Sequence, residues 1–112
     1  MSRPRALIVD LDGTLLSDDG VIHPDTRSAL HRIHDEGIRV MVATGRSEKS
    51  AAPAVDALGI HLPTIIYNGA ALWCPVDRRL IRERLIDADH LDAILDFAHA
   101  ENLMPVVMCA DT

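Results

Sequence analysis

The stretch ALIVDLDGT, residues 6–14, carries the strongest structural signal in the chain. Four consecutive apolar residues lead directly into two aspartates that are separated by a single leucine. A short, continuous apolar run predicts a strand that is buried on both faces. Aspartate is a poor strand residue, and two carboxylates this close repel each other. The sequence therefore predicts that something neutralises Asp10 and Asp12 at the end of the strand.

Strand and helix patterns alternate through the first part of the chain. After the first strand, helical patterns occupy residues 24–36 and 47–59, and apolar strand patterns occupy residues 38–44 and 63–69. Pro24 suits the first position of a helix, while Gly37 and Gly59 suit the residue just past a helix end. The order strand-helix-strand-helix-strand is typical of right-handed crossovers, so we expect an α/β fold with a parallel sheet.

The pattern changes near residue 70, which makes that position the one candidate domain boundary. Residues 70–86 are predicted to form two short strands around a turn. A third helix is expected at residues 88–101 with Asp87 as its N-cap, and a further strand is expected at residues 103–109.

Composition limits the kind of partner. The chain has 112 residues, enough for one small domain or a piece of a larger one, and a formal net charge of -6. Its longest basic run is the pair Arg78-Arg79, which argues against nucleic acid and against a membrane surface as partners. No apolar segment approaches membrane-spanning length, and we expect a cytoplasmic protein.

Three polar stretches follow the three predicted parallel strands. They are Asp10–Thr14, Thr44-Gly45-Arg46 and Asn68-Gly69, and each couples a polar residue to a glycine. Chemistry in an open parallel sheet gathers at the carboxyl ends of the strands. A divalent cation such as Mg²⁺ would neutralise the two aspartates. One carboxylate can then act as a nucleophile and the other can exchange a proton with the leaving group, while a threonine hydroxyl donates to an anionic oxygen.

These residues resemble the motifs of a known family. DLDGT at residues 10–14, after an apolar strand, closely resembles the first motif of the haloacid dehalogenase-like hydrolases, and VATGR at residues 42–46 resembles the second. YNGA at residues 67–70 resembles the Cof-type branch, whose large α/β cap is inserted after the third strand. The resemblance implies a Rossmann-like three-layer sandwich. Residues 1–69 would form the N-terminal part of its core, and residues 70–112 the first part of the cap.

The same resemblance implies a site and an activity. Asp10 would be the nucleophile that becomes an aspartyl-phosphate, and Asp12 would be the general acid/base. The Asp10 carboxylate and the Asp12 backbone carbonyl would hold Mg²⁺. The implied substrate-binding residues lie at the ends of the second and third strands: Thr44, Gly45, Arg46 and Asn68. The expected activity is that of a Mg²⁺-dependent phosphatase for small phosphorylated metabolites such as sugar phosphates.

The sequence departs from the family pattern in one respect, and this keeps other interpretations open. The family's third-motif lysine and fourth-motif acidic pair follow the cap, whereas the single lysine of this chain is Lys49, in the second predicted helix. We therefore expect the chain to be the N-terminal part of a longer phosphatase, inactive by itself, with residues 6–9 as a bare apolar strand edge. The alternatives are a catalytically inactive remnant, a phosphate-binding module, or a phosphomutase of the same superfamily.

Overall fold

The protein forms one five-stranded sheet with helices packed on it. The computed structural model describes residues 2–110. The strands are β1 (Ala6–Asp10), β2 (Arg39–Ala43), β3 (Thr64–Ile66), β4 (Ala71–Cys74) and β5 (Arg79–Glu83). The helices are α1 (Pro24–Asp35), α2 (Glu48–Leu58) and α3 (Ala88–Ala100), and a short 3₁₀ turn covers Tyr67–Gly69. The strand order in the sheet follows the chain, from β1 to β5.

The sheet is parallel at one side and antiparallel at the other. β1 pairs with β2 in parallel, from Ala6 opposite Arg39 to Asp10 opposite Ala43, and β2 pairs with β3 in parallel. β4 and β5 form a hairpin that continues the same sheet in antiparallel fashion. The predicted α/β class, with a Rossmann-like parallel sheet, is confirmed.

The hydrophobic core lies on one face of the sheet. Alternate residues of β2 and β3, among them Val40, Val42 and Ile66, are buried in one cluster with residues of α1 and α2. Both crossover helices therefore cover this face, as right-handed crossovers that advance in one direction require. The residues of the opposite face, such as Met41 and Ile65, are half-buried.

The helix ends follow the predicted signals, with one addition. Pro24 is the first residue of α1, and the His23 ring, which the sequence did not suggest as a cap, accepts a hydrogen bond from the Asp25 amide at 3.1 Å. Ser47 caps α2 by accepting from the Ser50 amide at 3.3 Å. Gly59 ends α2 in the left-handed conformation, with φ of 76°. Local capping chemistry therefore decides where these helices begin and end.

The prediction of a strand at residues 103–109 is wrong. Residues 103–110 follow α3 without regular structure. A strand needs a hydrogen-bonded neighbour, and within the described residues this segment pairs with none of β1 to β5. Pro105 also lacks the amide hydrogen that a ladder uses. One anchor is present: the Tyr67 hydroxyl donates to the Cys109 carbonyl at 3.0 Å.

The hairpin of residues 70–86 is formed as predicted, and it lies in the same sheet as β1 to β3. The division into a core at residues 1–69 and a cap segment at residues 70–112 stays a prediction, and residues 1, 111 and 112 of these ranges lie outside the described part of the chain. β1 is an edge strand, and Ile8 on it is 56% exposed. None of the helices within residues 2–110 has both the length and the apolar character needed to cross a membrane.

Candidate active site

The ends of the three parallel strands meet around one cavity. The cavity measures about 480 Å³ and is lined by four of the predicted site residues together with neighbouring strand and turn residues: Asp10, Thr44, Gly45 and Asn68, with Ile8, Ala43, Ile65 and Gly69. The structure thus brings together side chains from positions 10, 44 and 68. Asp12 and Arg46 are not among the lining residues, and neither is Lys49.

Asp10 is held at the cavity by the loop that follows it. Asp10 is the last residue of β1, and its carboxylate accepts a hydrogen bond from the Leu11 amide at 2.7 Å. Leu11, Leu15 and Leu16 are buried, and the Leu16 amide donates to the Leu11 carbonyl at 2.8 Å. Gly13 has a φ of 73°, which lets the chain reverse between these leucines. Buried leucines therefore anchor a loop that leaves the Asp10 and Asp12 carboxylates exposed.

Asp12 is paired with Arg46. The Arg46 Nε donates to one Asp12 oxygen at 2.9 Å, and an Arg46 terminal nitrogen donates to the other oxygen at 2.5 Å. The hydrogen bonds from Arg46 lower the pKa of the Asp12 carboxyl below its ordinary value, and the same bonds raise the pKa of Arg46. The Asp12 side chain remains 61% exposed. This two-point ion pair joins the loop after β1 to the segment between β2 and α2.

Thr44 is buried and fixed by its backbone. Its amide donates to the Ile65 carbonyl at 2.8 Å, and its carbonyl accepts from the Asn68 amide at 3.2 Å. The Thr44 hydroxyl accepts a hydrogen bond from the Arg46 amide at 3.1 Å. A hydroxyl that accepts through oxygen still has its own hydrogen to donate. Thr44 can therefore offer a donor to an anionic oxygen in the cavity that it lines.

The turn at Tyr67–Gly69 is strained and packed tightly against Gly45. Three successive residues have positive φ: Tyr67 (50°), Asn68 (56°) and Gly69 (97°). Left-handed backbone is uncommon for a bulky residue such as tyrosine and is often retained at functional sites. A Cβ atom at Gly45 would lie 2.7 Å from the Asn68 Oδ1, so a larger residue at position 45 would require the Asn68 side chain to shift. The sequence signalled the Asn-Gly turn but not the left-handed tyrosine before it.

The donor set suits Mg²⁺. Among residues 2–110, no three His, Cys, Asp or Glu side chains come together as a metal site. What the cavity offers is the exposed Asp10 carboxylate, an oxygen donor; the family resemblance adds the Asp12 backbone carbonyl. Mg²⁺ prefers oxygen ligands, is often held through one or two carboxylates, and keeps several of its waters. The residues present therefore fit a magnesium ion with a partly hydrated shell.

The apolar side of the cavity was not predicted from the sequence. This side is lined by one residue from each parallel strand: Ile8 of β1, Ala43 of β2 and Ile65 of β3. Ile8 lies two residues before Asp10. Side chains two residues apart on a strand point to the same face. The spacing of two residues between Ile8 and Asp10 therefore could have predicted that both line the cavity.

Comparison with known proteins places the chain in a family. Residues 7–112 match the family described as haloacid dehalogenase-like hydrolase. A 5-amino-6-(5-phospho-D-ribitylamino)uracil phosphatase of Bacillus subtilis, YwtE, is 35% identical over 99 residues, which are 88% of this chain and 34% of that protein. A glucosyl-3-phosphoglycerate/mannosyl-3-phosphoglycerate phosphatase of Persephonella marina is 36% identical over 62% of this chain and 26% of that protein.

A solved structure is also similar. A phosphatase of the haloalkanoate enzyme superfamily from Bacteroides thetaiotaomicron superposes with a TM-score of 0.77 at 30% identity, over 88% of this chain and 36% of that one. The chain thus spans about a third of the length of these relatives. The match over residues 7–112 covers nearly all of the sequence, and the chain belongs to the haloacid dehalogenase-like hydrolases.

Proposed function

We propose that the protein is a Mg²⁺-dependent phosphatase that acts on small phosphorylated metabolites through an aspartyl-phosphate. The observation that carries the proposal is the cavity at the strand ends, where the exposed Asp10 carboxylate and the buried Thr44 hydroxyl line the same space. A nucleophile and a hydrogen-bond donor for phosphoryl oxygens are the two groups that this chemistry needs first.

The reaction takes place in two steps. In the first, an Asp10 oxygen attacks phosphorus, the bond from phosphorus to the leaving oxygen breaks, and the Asp12 carboxyl gives its proton to that oxygen. In the second, water attacks the phosphorus of the aspartyl-phosphate and passes a proton to the Asp12 carboxylate. The bond to Asp10 then breaks, and inorganic phosphate leaves.

Groups around the cavity bind the phosphoryl oxygens. The Thr44 hydroxyl, the Gly45 backbone and the Asn68 side chain lie at the ends of β2 and β3, and all three line the cavity. Mg²⁺, held by the Asp10 carboxylate and the Asp12 carbonyl, would supply positive charge for the phosphoryl group.

The substrate class rests on the relatives. The two phosphatases named above act, by their names, on a phosphorylated ribitylaminouracil and on glycosyl phosphoglycerates. We propose small phosphorylated compounds of this kind, sugar phosphates among them, for this chain.

A phosphate-binding module without turnover is the second candidate. Among the described residues, no lysine or arginine side chain lines the cavity that holds Asp10. A cavity without a cation can hold phosphate through neutral donors and Mg²⁺, but it stabilises the transition state less. Loss of one such electrostatic group costs about 10² in rate or more.

The test measures Mg²⁺-dependent phosphate release from an aryl phosphate by the complete protein, together with acid-stable or rapidly trapped phosphoenzyme. We expect Asp10→Asn to lower turnover by about 10⁴ or more, since it removes the nucleophile, and to abolish the phosphoenzyme. Asp12→Asn should slow turnover strongly by removing the proton donor.

Asp89→Asn, an exposed aspartate of α3, is the matched control and should leave the rate unchanged. Near-normal turnover by Asp10→Asn would refute the proposal, and phosphate binding without release would favour the second candidate.

A further inference from the structure

The contact between Arg46 and Asp12 uses the full fork of the guanidinium. Two nitrogens of Arg46 reach the two oxygens of Asp12, at 2.9 Å and 2.5 Å. A bidentate pair of this kind fixes the plane of the carboxylate as well as its position. The pair spans 34 positions in the sequence, so the fold, rather than local geometry, brings the two residues together.

Arg46 itself is held at both ends. The third nitrogen of its guanidinium donates to the Ser50 carbonyl in the first turn of α2 at 3.2 Å. Its backbone amide donates to the Thr44 hydroxyl at 3.1 Å, and its carbonyl accepts from the Tyr67 amide at 3.0 Å. Both the backbone and the side chain of Arg46 are therefore tied to parts of the core, and Arg46 can act as a rigid support.

The direction of the Arg46 side chain distinguishes a substrate ligand from a residue that positions Asp12. A substrate ligand should line the cavity that contains Asp10 and Thr44, and Arg46 does not. Arg46 instead lines a neighbouring groove between the loop after β1 and α2, together with residues such as Val21 and Pro53. The guanidinium is committed to Asp12 and Ser50 and not to the space where a phosphoryl group would sit.

We propose that Arg46 is a positioning residue that acts on the reaction through Asp12, and not a direct ligand of the phosphoryl group; this inference rests on the proposed phosphatase function. Asp12 lies in a loop, and its side chain is exposed. Without the ion pair to Arg46, this side chain could adopt several rotamers. Arg46 selects one. For proton donation the Arg46 hydrogen bond to one Asp12 oxygen has to open so that this oxygen can carry the proton, while Arg46 keeps its bond to the other oxygen.

The chain offers a matched control for the loss of such a pair. Arg78 also forms a bidentate pair, in which its two terminal nitrogens donate to the two oxygens of Asp56 at 3.1 Å and 2.9 Å, between the hairpin turn and α2. Neither residue lines the cavity. Arg78→Gln therefore removes a bidentate ion pair elsewhere in the chain, together with the Arg78 contact over the Trp73 ring, without touching the site.

The first measurement does not need turnover. The Nε–Hε NMR signal of Arg46 in the complete protein should be shifted and protected from exchange, and Asp12→Ala should abolish both effects while leaving the Arg78 signal unchanged. An Arg46 signal at the position of a free arginine, unaffected by Asp12→Ala, would overturn the proposal.

The second measurement separates binding from turnover. We expect Arg46→Gln to lower kcat by about 10²-fold, the usual cost of a misplaced catalytic group, while the Kd for inorganic phosphate and KM change less than about twofold. Arg46→Lys keeps the charge but lacks the fork, and kcat should recover by less than about tenfold. Arg78→Gln should match the wild type. A loss of phosphate affinity of about tenfold or more in Arg46→Gln would overturn the proposal.

A double-mutant cycle gives the third test. If Arg46 acts through Asp12, then Asp12→Ala/Arg46→Gln has the kcat/KM of Asp12→Ala within about twofold, because the residue that Arg46 positions is already gone. If Arg46 contacts the phosphoryl group, the two losses multiply, and the proposal is wrong. Should the wild type show no turnover, the phosphatase proposal fails, and the NMR signal and the phosphate affinity still decide whether Arg46 serves Asp12 or the anion.

Discussion

Residues 6–74 and residues 84–110 form the same kinds of pattern in the sequence but reach very different degrees of burial. In the first region Val55, Leu58 and Ile66 are almost or completely buried in a single cluster. In the second region α3 buries only Ala98 among its described residues, Phe97 is 63% exposed and Met104 is 91% exposed. An apolar helical face forms a core only when another element covers it. The candidate site lies in residues 6–74, where the apolar faces are covered.

Local signals account for α3 without a core. Asp87 accepts a hydrogen bond from the His90 amide at 2.9 Å and so caps the first turn. The helix contains alanine and leucine, which favour helical backbone. Helix formation and helix burial are thus separate outcomes in this chain, and stability measurements can distinguish them.

Truncation of matched apolar residues should give the largest difference between the two regions. Leu58→Ala leaves a cavity in the core and should lower the free energy of unfolding by about 2–5 kcal/mol. Ile94→Ala, on the exposed side of α3, should change it by less than about 0.5 kcal/mol. Urea unfolding followed by fluorescence of the buried Trp73 measures both. Equal losses for the two variants would show that α3 is packed as firmly as α2.

An added methyl group should test how far the tight packing extends toward the cavity. Gly45→Ala places a Cβ 2.7 Å from the Asn68 side chain and should destabilise the protein by about 1–3 kcal/mol. It should also weaken binding of inorganic phosphate, because Asn68 must move. Asn68→Ala removes the obstructing atoms, so the double variant should recover part of the lost stability. Full stability of Gly45→Ala alone would contradict this packing.

Acid should produce the smallest effect, confined to the start of α3. The backbone and side-chain hydrogen bonds from His90 lower the pKa of Asp87. Because the folded pKa lies below the unfolded one, the cap contributes fully above about pH 4 and is lost as the pH falls through the lowered value. Amide exchange in the first turn of α3 should therefore accelerate at low pH.

The control for the acid experiment is Asp87→Asn, which caps a helix but does not titrate. This variant should show no such acceleration as the pH falls from about 5 to about 2. An identical pH profile in the variant and the wild type would rule out Asp87 as the cause.

Much of the fold could be predicted because its signals are local. Pro24, Gly37 and Gly59 act through their own backbone geometry, and they mark the ends of α1 and α2 where the structure has them. The lack of a strand at residues 103–109 could not be predicted, since an apolar run becomes a strand only with a hydrogen-bonded neighbour, and the sequence does not say whether such a neighbour is present.

The candidate site divides in the same way. The convergence of Asp10, Thr44 and Asn68 follows from the rule that parallel strands end at one edge, so the sequence could predict it. The ion pair between Arg46 and Asp12 could not be predicted, because it depends on the distance between two loops and on the direction of a long side chain. The left-handed Tyr67 was also hidden, since tyrosine rarely adopts that backbone.

The two edges of the sheet differ in how they resist pairing with another molecule. β5 carries exposed charged side chains, Arg79, Arg82 and Glu83, which discourage a further strand from adding there. β1 exposes Ala6, Leu7 and Ile8 and has no charged residue until Asp10. In concentrated solution, aggregation of this chain should therefore begin at residues 6–9. A charged substitution on this strand, more than one on β5, should change its solubility.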